Sequence, residues 1–132
     1  MTARSRNKGA AFERAVAAEL RDLTGVRFER NLEQCRADVL GDLVPDDAAW
    51  PFAIECKVRA TGKSCLTAWK AQATAAAGAK IPAVIFKFDR QPVRAAVPLR
   101  AIHPSLPGDE WAEVTLPGLA YLARELMALP HV

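Results

Sequence analysis

At 132 residues, 51% apolar and 25% charged, the chain has the composition of one soluble globular domain, long enough for a two-layer core. No apolar run approaches the ~18 residues of a membrane span, and the basic, polar start leads straight into a helical pattern, so neither a membrane segment nor a secretory signal is expected. The net charge of +3 hides an asymmetry: residues 1–100 hold 17 Lys/Arg against 11 Asp/Glu, while residues 101–132 hold one Arg against four acids.

Residues 1–8, with Arg4, Arg6 and Lys8, read as a flexible basic arm on a single domain spanning 1–132. The first helix runs from Lys8 to Leu23, with Asn7 as N-cap and Phe12, Val16, Leu20 and Leu23 as its apolar stripe. Glu13 follows Phe12, so it flanks the stripe and can lean toward a sheet. Gly25 suits the left-handed position that ends a helix. Val26–Asn31 alternates and ends in charge, which predicts a first strand near an edge. The connector 32–37 is polar, and with Arg30, Asn31, Gln34 and Arg36 this region can reach phosphates or sugars.

Asp38–Val44 reads as a second strand, bent at Gly41. A Pro-Asp-Asp turn at 45–47 follows. Pro51–Arg59 is the most informative stretch. Phe52, Ile54, Cys56 and Val58 fall on one face; Ala53, Glu55, Lys57 and Arg59 fall on the other. Strands two and three are expected to form an antiparallel hairpin. That hairpin brings an Asp opposite Glu55 with Cβ atoms ~5 Å apart. Two carboxylates that close repel unless a cation or a proton lies between them. Carboxylate oxygens suit a hard cation, and Lys57 beside them can steady a phosphate. Asp42 is the preferred partner. Asp38 shares its parity, and a bulge at Gly41 would favour Asp38 instead.

A second helix, capped by Ser64 or Thr67, runs to about Ala77 and carries Trp69, Lys70 and Gln72. Ile81–Phe88 is nearly continuously apolar, so it reads as a central strand. Pro92–Leu99 is a fifth strand, residues 101–116 are loop, and Pro117–Met127 is a final helix. The order predicts an α/β fold with a mixed five-stranded sheet flanked by helices, one of them crossing between strands three and four. The three cysteines, Cys35, Cys56 and Cys65, are odd in number and lack metal spacing, which fits a reduced, cytoplasmic setting.

The ordered set Lys8-Gly9-x-x-x-Glu13, Arg30-Asn-Leu-Glu-Gln34, Gly41-Asp42-Leu43 and Pro51-Phe-Ala-Ile-Glu-Cys-Lys57, followed by the Trp69/Gln72 helix and the run KIPAVIFKFDR of residues 80–90, resembles the PD-(D/E)xK nuclease superfamily. Within it, the set is similar to archaeal Holliday junction resolvases and their phage relatives. The Pro that usually precedes the Asp is absent. The resemblance implies a restriction-endonuclease-like core and hydrolysis of DNA phosphodiester bonds. It implies metal ligation by Asp42 (or Asp38), Glu55 and the Cys56 backbone carbonyl, with Glu13 joining directly or through water. Lys57 would orient or activate the attacking water. Mg²⁺ fits such hard oxygen ligands, and Mn²⁺ should substitute. Arg4, Arg6, Lys8, Arg30, Arg36, Arg59, Lys63 and Gln72 are candidate DNA contacts. A four-way junction is two-fold symmetric, so a homodimer encoded by a phage or prophage and acting in the host cytoplasm is expected. Alternatives are a restriction-like, nicking or repair endonuclease on the same scaffold, or a non-catalytic DNA-binding module.

Overall fold

The computed structural model describes residues 3–32 and 41–129. Its elements are α1 (Ala3–Thr24), β1 (Phe28–Arg30), β2 (Leu43–Pro45), β3 (Phe52–Arg59), α2 (Thr67–Ala76), β4 (Ile81–Phe88), β5 (Arg94–Pro98), β6 (Trp111–Thr115) and α3 (Leu116–Ala128). The main sheet has the order β3-β4-β5-β6, and β1-β2 form a separate antiparallel pair. β3 and β4 are parallel, in register from Phe52↔Ile81 to Arg59↔Phe88. Parallel neighbours require a crossover, and α2 supplies it.

β4 is apolar except at Lys87 because both its faces are covered. Ala83 and Ile85 enter a core with Phe12, Val16 and Leu20 of α1 and with Leu116, Leu119 and Ala123 of α3. Val84, Phe86 and Phe88 enter a second core with Ala73 and Trp69 of α2. The result is three layers, with α1 and α3 on one face of the sheet and α2 on the other. Burying each large apolar side chain contributes about 1.5–3 kcal/mol. α1 ends where Gly25, at φ 79°, donates its N–H to Arg21 O at 2.7 Å. Only a residue without Cβ adopts that conformation at no steric cost.

Four expectations change. α1 starts at Ala3, so Arg4, Arg6 and Lys8 lie on helix, not on a flexible arm, and Asn7 is inside the helix, not its cap. The alanines and basic residues of this segment are good helix formers. α2 begins at Thr67 after Leu66, without a side-chain cap. β6 occupies what reads as loop; it is a short edge strand, and only partial burial shapes its pattern. The fourth change concerns β2. It pairs with β1, Arg30↔Leu43 to Phe28↔Pro45, and not with β3 in an extended hairpin. The strands therefore divide four and two. Residues 33–40, which include Arg36 and Asp38, lie outside the described residues.

Candidate active site

Gly41 and Asp42 make the join between the two sheets. Gly41 has φ 85°, and a Cβ there would lie 2.5 Å from Ile54 O and 2.8 Å from Ile54 N. Glycine thus lets the chain lie directly on the β3 backbone. The Asp42 N–H donates to Ile54 O at 2.6 Å, and Asp42 Oδ2 accepts from the Cys56 N–H at 2.7 Å. One residue therefore takes, with backbone and side chain, the two hydrogen bonds that a ladder partner would make with Ile54 and Cys56. Asn31 fixes this join from the other side. Its N–H donates to Asp42 O and its Nδ2 to Gly41 O, both at 2.8 Å. Asn31 reads in the sequence as the polar end of the first strand and part of the Arg30–Gln34 motif; nothing local marks it as the clasp of Asp42.

Strand alternation then aims the remaining groups. Phe52 and Ile54 enter the core beneath α1, and Cys56 and Val58 pack against it. On the opposite face Glu55 is 7% exposed, the buried charged side chain among the described residues. Its carboxyl is pushed up to about 7, first by burial, then by the Asp42 charge and by a hydrogen bond with Asp42; Glu13 adds to the rise and Lys57 opposes it. The Cys56 thiol is pushed well up by the same burial and the same three acids, led by Asp42. Lys57 donates from Nζ to Gln72 Oε1 of α2 at 2.8 Å. Gln72 is thus a positioned partner of Lys57.

Glu13 of α1 accepts from Arg30 Nε at 2.8 Å, with both side chains half-buried. Arg30, expected as a phosphate contact, is therefore engaged with an acid near the site. Lys8 pairs with Asp89 at 3.1 Å on the surface. Arg4, Arg6, Arg59 and Lys63 are exposed.

The chemistry of this donor set bears on a metal. Asp42 and Glu55 are two carboxyls held together, Glu55 buried and Asp42 half-buried, where a shared proton or a cation would offset their repulsion. Their hard oxygens fit a divalent cation. No three His, Cys, Asp or Glu side chains among the described residues gather closely enough to hold a metal ion. Asp42 and Glu55 are the carboxyls brought together, and Arg30 holds Glu13 nearby.

A family model described as "Phage putative PDDEXK endonuclease" matches residues 4–116. The chain belongs to this family. The match spans everything from α1 through β6 and confirms the PD-(D/E)xK relationship that the ordered motifs resemble. The fold is similar to that of Archaeoglobus fulgidus Hjc, a Holliday junction resolvase from an archaeal hyperthermophile, with a TM-score of 0.51 at 20% identity over 88% of this chain and 98% of that one. No curated protein matches. The protein is thus a nuclease by family and resolvase-like by fold. No helix among the described residues is long and apolar enough to cross a membrane.

Proposed function

We propose that this nuclease is a divalent-metal-dependent endodeoxyribonuclease that resolves branched DNA, a phage Holliday junction resolvase acting as a homodimer in the host cytoplasm. The observation that supports the catalytic part is the Asp42–Glu55 pair, with the buried Glu55 carboxyl held against Asp42 and beside Lys57. Asp42 and Glu55 hold Mg²⁺ together with the Cys56 backbone carbonyl; Glu13 contributes through water, and Asp38 is the alternative to Asp42. Mn²⁺ substitutes. The bound metal supplies polarisation of the phosphate and a lowered pKa for the attacking water.

The chain's own groups do the rest. The Cys56 N–H holds one Asp42 oxygen in place. The Lys57 ammonium, aimed by Gln72, orients the attacking water and offsets the negative charge that builds on the phosphate oxygens. Arg4, Arg6, Lys8, Arg30, Arg36, Arg59 and Lys63, with Gln72, contact the DNA. The phage family and the resolvase-like fold support a junction as substrate. Two symmetric nicks require two sites, which a C₂ homodimer provides.

The test is cleavage of an immobile four-way junction and of a linear duplex of the same sequence, in Mg²⁺ and in EDTA, with Glu55→Gln and Lys57→Ala alongside. Paired nicks in the junction alone, needing Mg²⁺ and lost in both variants, are expected. Cleavage of both DNAs keeps the site and makes the enzyme a general nuclease. Binding without cleavage, in Mn²⁺ as well, leaves a DNA-binding module.

A further inference from the structure

A groove of about 380 Å³ runs between α1 and β1, outside the Asp42–Glu55 centre. Its lining includes Arg14, Arg21, Arg27, Arg30, Phe28 and Glu29. Four guanidiniums against one carboxylate give this lining a surplus of three charges, as large as the net charge of the whole chain. The sequence places these arginines together for a simple reason. Arg14 and Arg21 are seven residues apart on α1, so they stand on one side of the helix, two turns apart. Arg27 and Arg30 flank them from β1 and the residue before it. Among the described residues the ion pairs are Lys8–Asp89, Arg30–Glu13 and Arg94–Glu113. No described carboxylate therefore pairs with the Arg14, Arg21 or Arg27 side chain. Asp46, the acid nearest in hydrogen bonding, holds the Arg27 backbone N–H at 3.0 Å.

The groove is joined to the active centre at one end. Arg30 lines it and also donates to Glu13. The next residue, Asn31, holds Asp42 and Gly41. The other end lies at Arg21, about 10 Å of helix rise from Arg14. That span covers roughly three phosphates of a strand at 3.4 Å of duplex rise each. Arginine suits this ligand because its planar fork meets phosphate oxygens two at a time.

We propose that the α1–β1 groove is a phosphate track that grips the backbone of a DNA strand leading away from the cleavage site, with Arg14, Arg21 and Arg27 as its contacts. The proposal rests on DNA being the substrate of the Asp42–Glu55 centre. It adds a binding surface to that centre and gives the predominantly basic lining a role.

The test is fluorescence anisotropy of a labelled linear duplex and a labelled four-way junction, titrated in EDTA at several salt concentrations, with wild-type cleavage in Mg²⁺ measured in parallel. Arg14→Gln/Arg21→Gln is compared with Arg14→Lys/Arg21→Lys and with Arg100→Gln, which removes one exposed charge elsewhere. Melting curves confirm that each variant is folded. For the Gln pair, affinity should fall about tenfold or more, and the slope of log affinity against log salt should become shallower by roughly 2. The Lys pair should keep most of the slope, and Arg100→Gln should bind as wild type. If the Gln pair keeps wild-type affinity and slope while wild type cleaves DNA, the track is overturned and the nuclease reading stands. If wild type neither binds nor cleaves either DNA, the nuclease reading fails and the track with it.

Discussion

At the β5–β6 edge of the sheet, Arg94 donates to Glu113 Oε1, Lys63 O and Gln91 Oε1, each at 2.9 Å, and its guanidinium lies over the Phe86 ring at 4.9 Å. Glu113 Oε2 in turn accepts from the Cys65 N–H at 2.8 Å. At the β3 edge, Asp42 and Glu55 face each other with Glu13 near by, and the ammonium of Lys57 is turned to a neutral amide. The first cluster pairs opposite charges and satisfies its donors, so it holds the 60–65 loop to the sheet. The second sets a buried carboxyl, Glu55, against a half-buried one, Asp42, so burial and then their repulsion raise the Glu55 pKa. The difference separates a cluster of matched charges from the one to which the proposed chemistry is assigned.

The largest effect expected from breaking this contrast is on cleavage. Glu55→Gln keeps the shape and removes the ionisable group; the rate in Mg²⁺ should fall at least ~100-fold, about 3 kcal/mol of barrier. A rate within tenfold of wild type would mean that Glu55 belongs with the structural cluster. Next comes pH. Glu55 titrates at about 7 in the fold against an ordinary 4.5, so its protonated form favours the fold. Its contribution is full below about 4.5 and is lost as pH rises through 7, about 3 kcal/mol in all. In EDTA, the melting temperature of wild type should therefore drop relative to Glu55→Gln between pH 4.5 and 8. Saturating Mg²⁺ at pH 8 should restore wild type and not the variant. Parallel pH curves for the two proteins would contradict the shift.

Arg94→Ala tests the other cluster. It removes three hydrogen bonds and an aromatic contact, so stability should fall about 2–3 kcal/mol, with roughly the same loss at pH 5 and pH 8 and with or without Mg²⁺. A loss that depends on Mg²⁺ would join the two clusters into one. The smallest effect is expected for Gln72→Ala, which frees the Lys57 ammonium. Cleavage should slow by ~3–10-fold with little change in melting temperature.

Much of this is legible in the sequence where one physical rule decides. Alternation alone assigns both faces of β3, because one is core and the other carries Glu55 and Lys57. The stripe Phe12, Val16, Leu20 assigns α1, and the nearly continuous apolar run assigns β4 to the middle. What fails is pairing. A strand followed by a turn and another strand reads as a hairpin, yet β2 is only three residues long. The left-handed Gly41 lays the chain on β3, where Asp42 makes the hydrogen bonds to Ile54 and Cys56. β6 escapes because Glu113 and the half-exposed positions around it blur the period. The pairing of Asp and Glu across two adjacent segments is legible; the Asn31 clasp, the Gln72 contact and the Arg30–Glu13 pair are not, because they join residues 10 to 17 positions apart through no local pattern.

Asp42 also has a consequence for solubility. β3 is the outer strand of the four-stranded sheet among the described residues, and an outer strand with bare amide and carbonyl groups invites another chain to add on. By occupying Ile54 O and the Cys56 N–H, Asp42 makes that rim unavailable at its centre. Replacing Asp42 removes a carboxylate and uncovers a template for self-association in the same stroke. An inactive protein made at this position would aggregate for reasons unrelated to hydrolysis, whereas one made at Glu55 leaves the rim sealed.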